Sequence, residues 1–200
     1  MTAAGPAHLA LRAATAAEHQ RIDAIFGDFD LTDRASYGAF LTAHARALAA
    51  VEPALGLGVA PRGDGDPRRP NIATTGLPVL RSRIPALRAD LADLDLPWPT
   101  PLPAPAPAST AEAFGMAYVI EGSRLGGGML ARRVAHDLPK AYLSAVHLPG
   151  EWRAFHAALD NAAAEAVDPE LWREQAQAAA CATFGLYGRA AQGENGSQAG

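Results

Sequence analysis

Cysteine is almost missing from this chain: Cys181 is the single one in 200 residues. That excludes internal disulfides and a metal cluster held by thiolates. Aromatic residues make up only 6% and charged residues 19%, and β-branched residues are scarce as well. An all-β or Rossmann arrangement therefore has little to be built from. A basic excess is also lacking. Lys and Arg total 17 against 21 Asp and Glu, for a formal charge of −4, the opposite of a general nucleic-acid binder's footprint. No run of about 18 apolar residues marks a membrane span. The first residues have neither the basic nor the apolar region of a secretory signal. The expectation is a soluble, cytoplasmic protein that binds neither nucleic acid nor membrane. Its length fits one domain.

What the chain has in excess is alanine, 47 residues of 200, the best intrinsic helix former. Apolar residues recur at helical spacing through Leu11, Thr15, His19, Ile22 and Phe26, which predicts a first helix from His8 or Leu9 to about Gly27. Thr32 or Asp33 caps a second, whose stripe of Tyr37, Phe40, Leu41, His44, Leu48 and Val51 ends at Pro53. A third helix is expected over 77–94, kinked or broken at Pro85. Ser109 and Glu112 form a capping box for a helix expected to run to about Leu138. A short piece follows over 140–145, then helices over 151–167 and 169–190. Proline at alternate positions from Pro97 to Pro107 makes 96–108 a polyproline-like strap on the outside of the bundle. The expected organisation is a tail over 1–8 and one all-α domain of six to eight helices over 9–191. That domain contains an exposed loop at 61–71, and a disordered tail covers 192–200.

Two stretches carry chemistry. The first is LRAATAAEHQRID, residues 11–23. His19 sits on the apolar stripe, so it is either a core imidazole hydrogen-bonded to a neighbour or an axial metal ligand. Asp23, one turn on, favours the ligand reading, because a carboxylate on the second ring nitrogen fixes the tautomer and raises basicity. The second stretch is YVIEGSRLGGGML, residues 118–130, with four glycines in seven positions of an otherwise helical segment. Each glycine costs about 0.8–1 kcal/mol relative to alanine. Gly122 and Gly126, four apart, bare a strip of backbone on one face and let a flat group approach. Tight helix packing is the competing explanation. A phosphate loop is a poor one, since the strand, spacing and lysine of a P-loop are lacking.

Together these two stretches resemble the heme oxygenases, and most closely the bacterial, biliverdin-producing branch that includes members paired with bacteriophytochromes. The resemblance covers about 9–189 of this chain. It implies a heme oxygenase-like helical bundle that cleaves heme b to biliverdin, CO and iron. The reaction would use O₂ and electrons from a reduced ferredoxin or an NAD(P)H-dependent reductase, with a bacteriophytochrome as a further partner. Residue by residue, it implies His19 as iron ligand supported by Asp23. Gly122, Ser123, Gly126 and Gly127 would form the catalytic distal helix against the heme face. Arg12, Arg132 and Arg133 would be the partners of the propionates. Ser123 stands where mammalian-type members have an aspartate, Tyr118 is offset by one from the family's tyrosine, and the proline strap matches no family motif.

Outside these stretches, His8, His44, His136, His147 and His156 show neither an HExxH nor an ExxH spacing. They read as structural or solvent-facing, with His44 directed to the core. Cys181 reads as a small buried apolar residue. Arg12, Arg21, Arg132 and Arg133 together would form a basic rim for an acidic electron donor. Two other functions fit a chain of this kind: a heme- or ligand-binding protein of the same fold without turnover, and a helical interaction module without cofactor. Hemin addition followed by ascorbate in air separates the first from an enzyme, and His19→Ala separates the second from both.

Overall fold

Seven helices form among the described residues, 5–57 and 76–193 of a computed structural model. They are α1 (Ala7–Gly27), α2 (Arg34–Ala54), α3 (Ile84–Asp93), α4 (Thr110–Leu130), α5 (Ala141–Ser144), α6 (Glu151–Glu165) and α7 (Pro169–Ala191). No strand occurs among these residues. None of the helices is long and apolar enough to cross a membrane. The expected loop at 61–71 and most of the C-terminal tail lie outside the described residues.

Local sequence sets the starts of three helices. Asp33 caps α2 by accepting the Ser36 N–H, Ser109 caps α4 through Glu112 N–H, and Asp168 caps α7 through two N–H groups. Helix α1 has no such cap. It starts at Ala7, inside the expected tail, behind Pro6 and with no side-chain cap of its own. The missing acceptor comes from α6: the Asp160 carboxylate takes the His8 backbone N–H at 2.9 Å and lies 2.7 Å from its ring Nδ1.

Two predicted helices change length. Residues 77–83 are not helical, and α3 begins at Ile84 with Pro85 in its first positions, where the missing N–H breaks no intrahelical bond. Helix α4 runs unbroken through its glycines but ends at Leu130, well short of Leu138. Ala131 N–H still bonds back four residues to Gly127, whereas Arg132 and Arg133 bond back three, to Met129 and Leu130. That tighter turn carries the chain to α5. The Asp90 carboxylate there accepts the N–H groups of Ala141 and Tyr142 at 2.9 and 2.8 Å.

The core is made of Tyr37, Phe40 and Leu48 from α2, Leu87 and Leu91 from α3, Phe114 and Ile120 from α4, and Phe155 and Leu159 from α6, all essentially inaccessible. Small residues set the helix spacing. Helix α7 packs on both α4 and α1. At the first seam a Cβ on Gly115 would collide with the Ala176 backbone carbonyl, and at the second a Cβ on Gly188 would come within 3.1 Å of Arg21 and Ile22. Ala176, Ala180 and Ala190 of α7 are buried, so much of the alanine excess is packing surface as well as helix propensity. The proline strap is fastened to the outside by Leu102, whose N–H donates to Arg46 O at 3.0 Å, and by Arg88 stacked 3.9 Å over the Trp98 ring.

Candidate functional site

Helices α1 and α4 stand on either side of a cavity of about 500 Å³, floored by α2, α5 and α7 and closed at one end by α6. This volume falls in the range of small-molecule and cofactor sites. Of the residues singled out from sequence, Arg12, His19, Asp23, Gly122, Ser123, Gly126 and Gly127 all line it.

The glycine run divides by what surrounds each residue. A Cβ on Gly126 would meet nothing within 4 Å, and one on Gly122 only Trp152 at 3.7 Å. Packing does not explain either glycine. Their bare backbone borders the cavity. Gly127 and Gly128 are different: a Cβ on the former would lie 3.1 Å from Leu143 O and on the latter 3.0 Å from Val146 Cγ1. These two let α4 seat against 143–146, so the packing explanation holds for half of the cluster.

His19 departs from the expected position on a buried stripe. Its side chain is 62% exposed at the cavity's α1 wall, edge-on to Phe184 with ring centroids 5.8 Å apart. Nδ1 lies 3.2 Å from an Asp23 carboxylate oxygen, which leaves Nε2 as the nitrogen available to a ligand. Arg12 lines the same wall, with Tyr118 opposite on α4. Burial raises the Tyr118 hydroxyl's pKa, against the smaller opposing effects of Thr15 and Arg12.

Arg132 and Arg133 are a correction. The resemblance implies them as propionate partners, but α4 ends before either. Both are exposed and neither lines the cavity. Arg133 instead acts on Asp30 across the chain. Arg21 pairs with Glu18 at 2.8 Å and packs against Gly188, so no continuous basic rim forms. Cys181 is only partly buried.

The floor holds polar groups that the sequence reading left out of the site. His44 is half-buried, its ring packed among Phe26, Phe40, Tyr142 and Tyr187. Burial is the main cause that pushes its pKa down to about 4. The neutral ring donates Nδ1–H to Phe40 O at 3.0 Å. Arg83, 3% exposed, donates through Nη2 to Ile120 O and to Ser123 Oγ, both at 2.7 Å, and its guanidinium lies 5.1 Å from the Tyr142 ring centre. Ser123 Oγ–H in turn donates to Ile120 O at 2.7 Å. The Tyr187 hydroxyl is buried without a protein partner, as is Arg83 Nε. Orphaned buried polar atoms on a cavity wall indicate a place for water or ligand. Glu52, also buried, anchors this corner by accepting Arg83 N–H at 2.9 Å and Ser82 Oγ–H at 2.5 Å.

His8 and His156, read from sequence as structural or solvent-facing, also line the cavity. His147 does not. It is buried against Glu121 at 3.0 Å, beside the Arg124–Glu121 pair at 3.0 Å, behind α4. Among the described residues no group of three or more His, Cys, Asp or Glu side chains is placed to hold a metal ion. A metal here would have to arrive inside a larger ligand and take one protein nitrogen.

An all-helical bundle with one exposed histidine opposite bare glycine backbone defines a class suited to a planar, metal-bearing ligand. Its fold is that of the heme oxygenase from Neisseria meningitidis, solved bound to NO and CO. The two superpose with a TM-score of 0.73 at 22% identity, over 95% of this chain and 92% of that one. In sequence, a heme oxygenase of Xanthomonas campestris pv. campestris (strain 8004) is 40% identical over 88 residues, 40% of this chain. The match spans about half of that relative's length, 52%. No family model matches the chain.

Proposed function

We propose that this chain is a heme oxygenase, an oxidoreductase that takes heme b as substrate. One observation carries the reading: His19, backed by Asp23, shares a 500 Å³ cavity with Gly122 and Gly126, whose bare backbone no packing explains. Bound heme would supply the iron that takes O₂ and would itself be cleaved to biliverdin, CO and iron, with electrons from a ferredoxin or an NAD(P)H-dependent reductase.

The residues present fit that substrate. His19 would hold the iron through Nε2 while Asp23 would keep the proton on Nδ1, because a carboxylate accepts and a nitrogen that binds iron must be bare. Gly122 and Gly126 let the helix backbone approach the porphyrin face. Arg12, with the Tyr118 hydroxyl across from it, takes a propionate. No carboxylic acid on α4 reaches the cavity to move protons. That work falls to water held by His44, Tyr187 and the Arg83–Ser123 pair. His44 suits it because burial keeps it neutral at physiological pH, so its Nε2 accepts while Nδ1–H is tied to Phe40. Cytoplasmic location, supply of biliverdin to a bacteriophytochrome and docking of an acidic electron donor belong to the same proposal.

Hemin titration tests it. A Soret band is expected for the apoprotein and its loss, with a new biliverdin band at longer wavelength, once ascorbate is added in air. No Soret band removes heme binding. A band that survives reductant in air leaves a heme-binding protein without turnover.

A further inference from the structure

We propose that His8 and His156, with Asp160 behind them, form a proton-linked carboxylate subsite at the α6 end of the cavity, so that capture of an anionic planar ligand takes up a proton on the imidazole pair. The two rings are stacked, with centroids 4.4 Å apart and planes within 15°. His8 joins α1 to α6 through Asp160, by its backbone N–H and by ring Nδ1. His156 has no such partner. Its ring packs on Trp152 at 4.2 Å, and among the described residues no hydrogen bond engages its nitrogens. All three rings border the cavity beside Arg12.

The chemistry follows from charge counting. Asp160 is the one carboxylate on the stacked pair, enough to balance one imidazolium. A second imidazolium stacked on the first has no anion to balance it, and like charges at this separation repel. In the free protein, partial burial and then His8 accordingly push the His156 pKa below its ordinary value, with Asp160 opposing them. A carboxylate arriving from the cavity supplies the missing anion, restores protonation of His156 and gains a charge-assisted hydrogen bond. The groups that face the pair are Arg12 on α1, Asp160 on α6 and Tyr118 on α4. Arg173 of α7 lies on the other side of α1, beside Ala7, Ala10 and Leu11, 3.7 Å from Glu170.

The identity of the anion as a porphyrin propionate rests on the heme reading; the proton linkage does not need the iron. Metal-free protoporphyrin IX is therefore the probe, since it needs no bond to His19. Its Kd, read by porphyrin fluorescence, is expected to tighten by about tenfold per pH unit as pH falls through the His156 titration, the limit for one linked proton. His156→Gln flattens this dependence. His8→Gln moves it to higher pH, because the repelling neighbour is gone. Protoporphyrin dimethyl ester shows no pH dependence. The proposal is overturned if wild type fails to bind protoporphyrin at pH 6, if its affinity is independent of pH, or if His156→Gln or the ester keeps the full slope. A hemin titration at pH 8, wild type against His19→Ala, reads the heme assignment separately.

Discussion

One substitution, glycine to alanine, is expected to act in opposite directions at two positions of α4. At Gly126 the new methyl meets no atom within 4 Å, so the protein gains helix propensity alone, about 1 kcal/mol. For a domain of this size that raises Tm by about 2–4 °C. At Gly115 the same methyl runs into the Ala176 carbonyl. Backbone cannot step aside by changing rotamer, so overpacking of about 1–3 kcal/mol outweighs the propensity gain. Gly115→Ala is therefore less stable than wild type. The apoproteins are compared by urea denaturation followed at 222 nm, and each is then titrated with hemin. Gly126→Ala, though more stable, is expected to bind hemin about tenfold more weakly, since its methyl enters the cavity on the face proposed for the porphyrin, an intrusion of about 1–3 kcal/mol. A Gly126→Ala protein that is destabilised, or that binds hemin with unchanged affinity, would refute the assignment of this glycine to the ligand.

Other outcomes follow from single contacts. His19→Ala leaves the apoprotein's stability within about 0.5 kcal/mol, as expected for an exposed side chain, but abolishes the Soret shift of bound hemin. His44 has a folded pKa of about 4 against an ordinary 6.5, so the unfolded chain binds its proton first. Stability is full above pH 6.5 and falls by about 3 kcal/mol at most as pH drops to 4; His44→Gln, compared by urea midpoints, lacks that loss. Asp90→Ala removes the acceptor of two α5 N–H groups and costs about 1–3 kcal/mol by thermal denaturation. Arg83→Met unties Ser123, and is expected to slow ascorbate-driven hemin loss more than it weakens hemin binding.

Local features were readable from the sequence and long-range ones were not. His19, Asp23, Gly122 and Gly126 follow from the periodicity of single helices, and the cavity gathers all four. The same periodicity misplaces Arg132 and Arg133, because it assumes that α4 continues, whereas the chain tightens and turns to seat α5. His8, Arg83 and His156 belong to the cavity only because α1 meets α6 and because 81–83 folds inward onto Glu52. No spacing along the chain records those meetings. Alanine excess signalled helices correctly but not that alanine and glycine also fix how near α7 lies to its neighbours.

The width of the gap between His19 and the glycines is decided away from the gap itself. Helices α1 and α4 each lean on α7, one through Gly188 and the other through Gly115, so α7 serves as the common bar of a calliper. A slightly larger residue at either seam would spread the two jaws without touching the ligand. Adapting such a cavity to a thicker or thinner guest therefore needs changes at the Gly115 and Gly188 seams, not among the residues that line it.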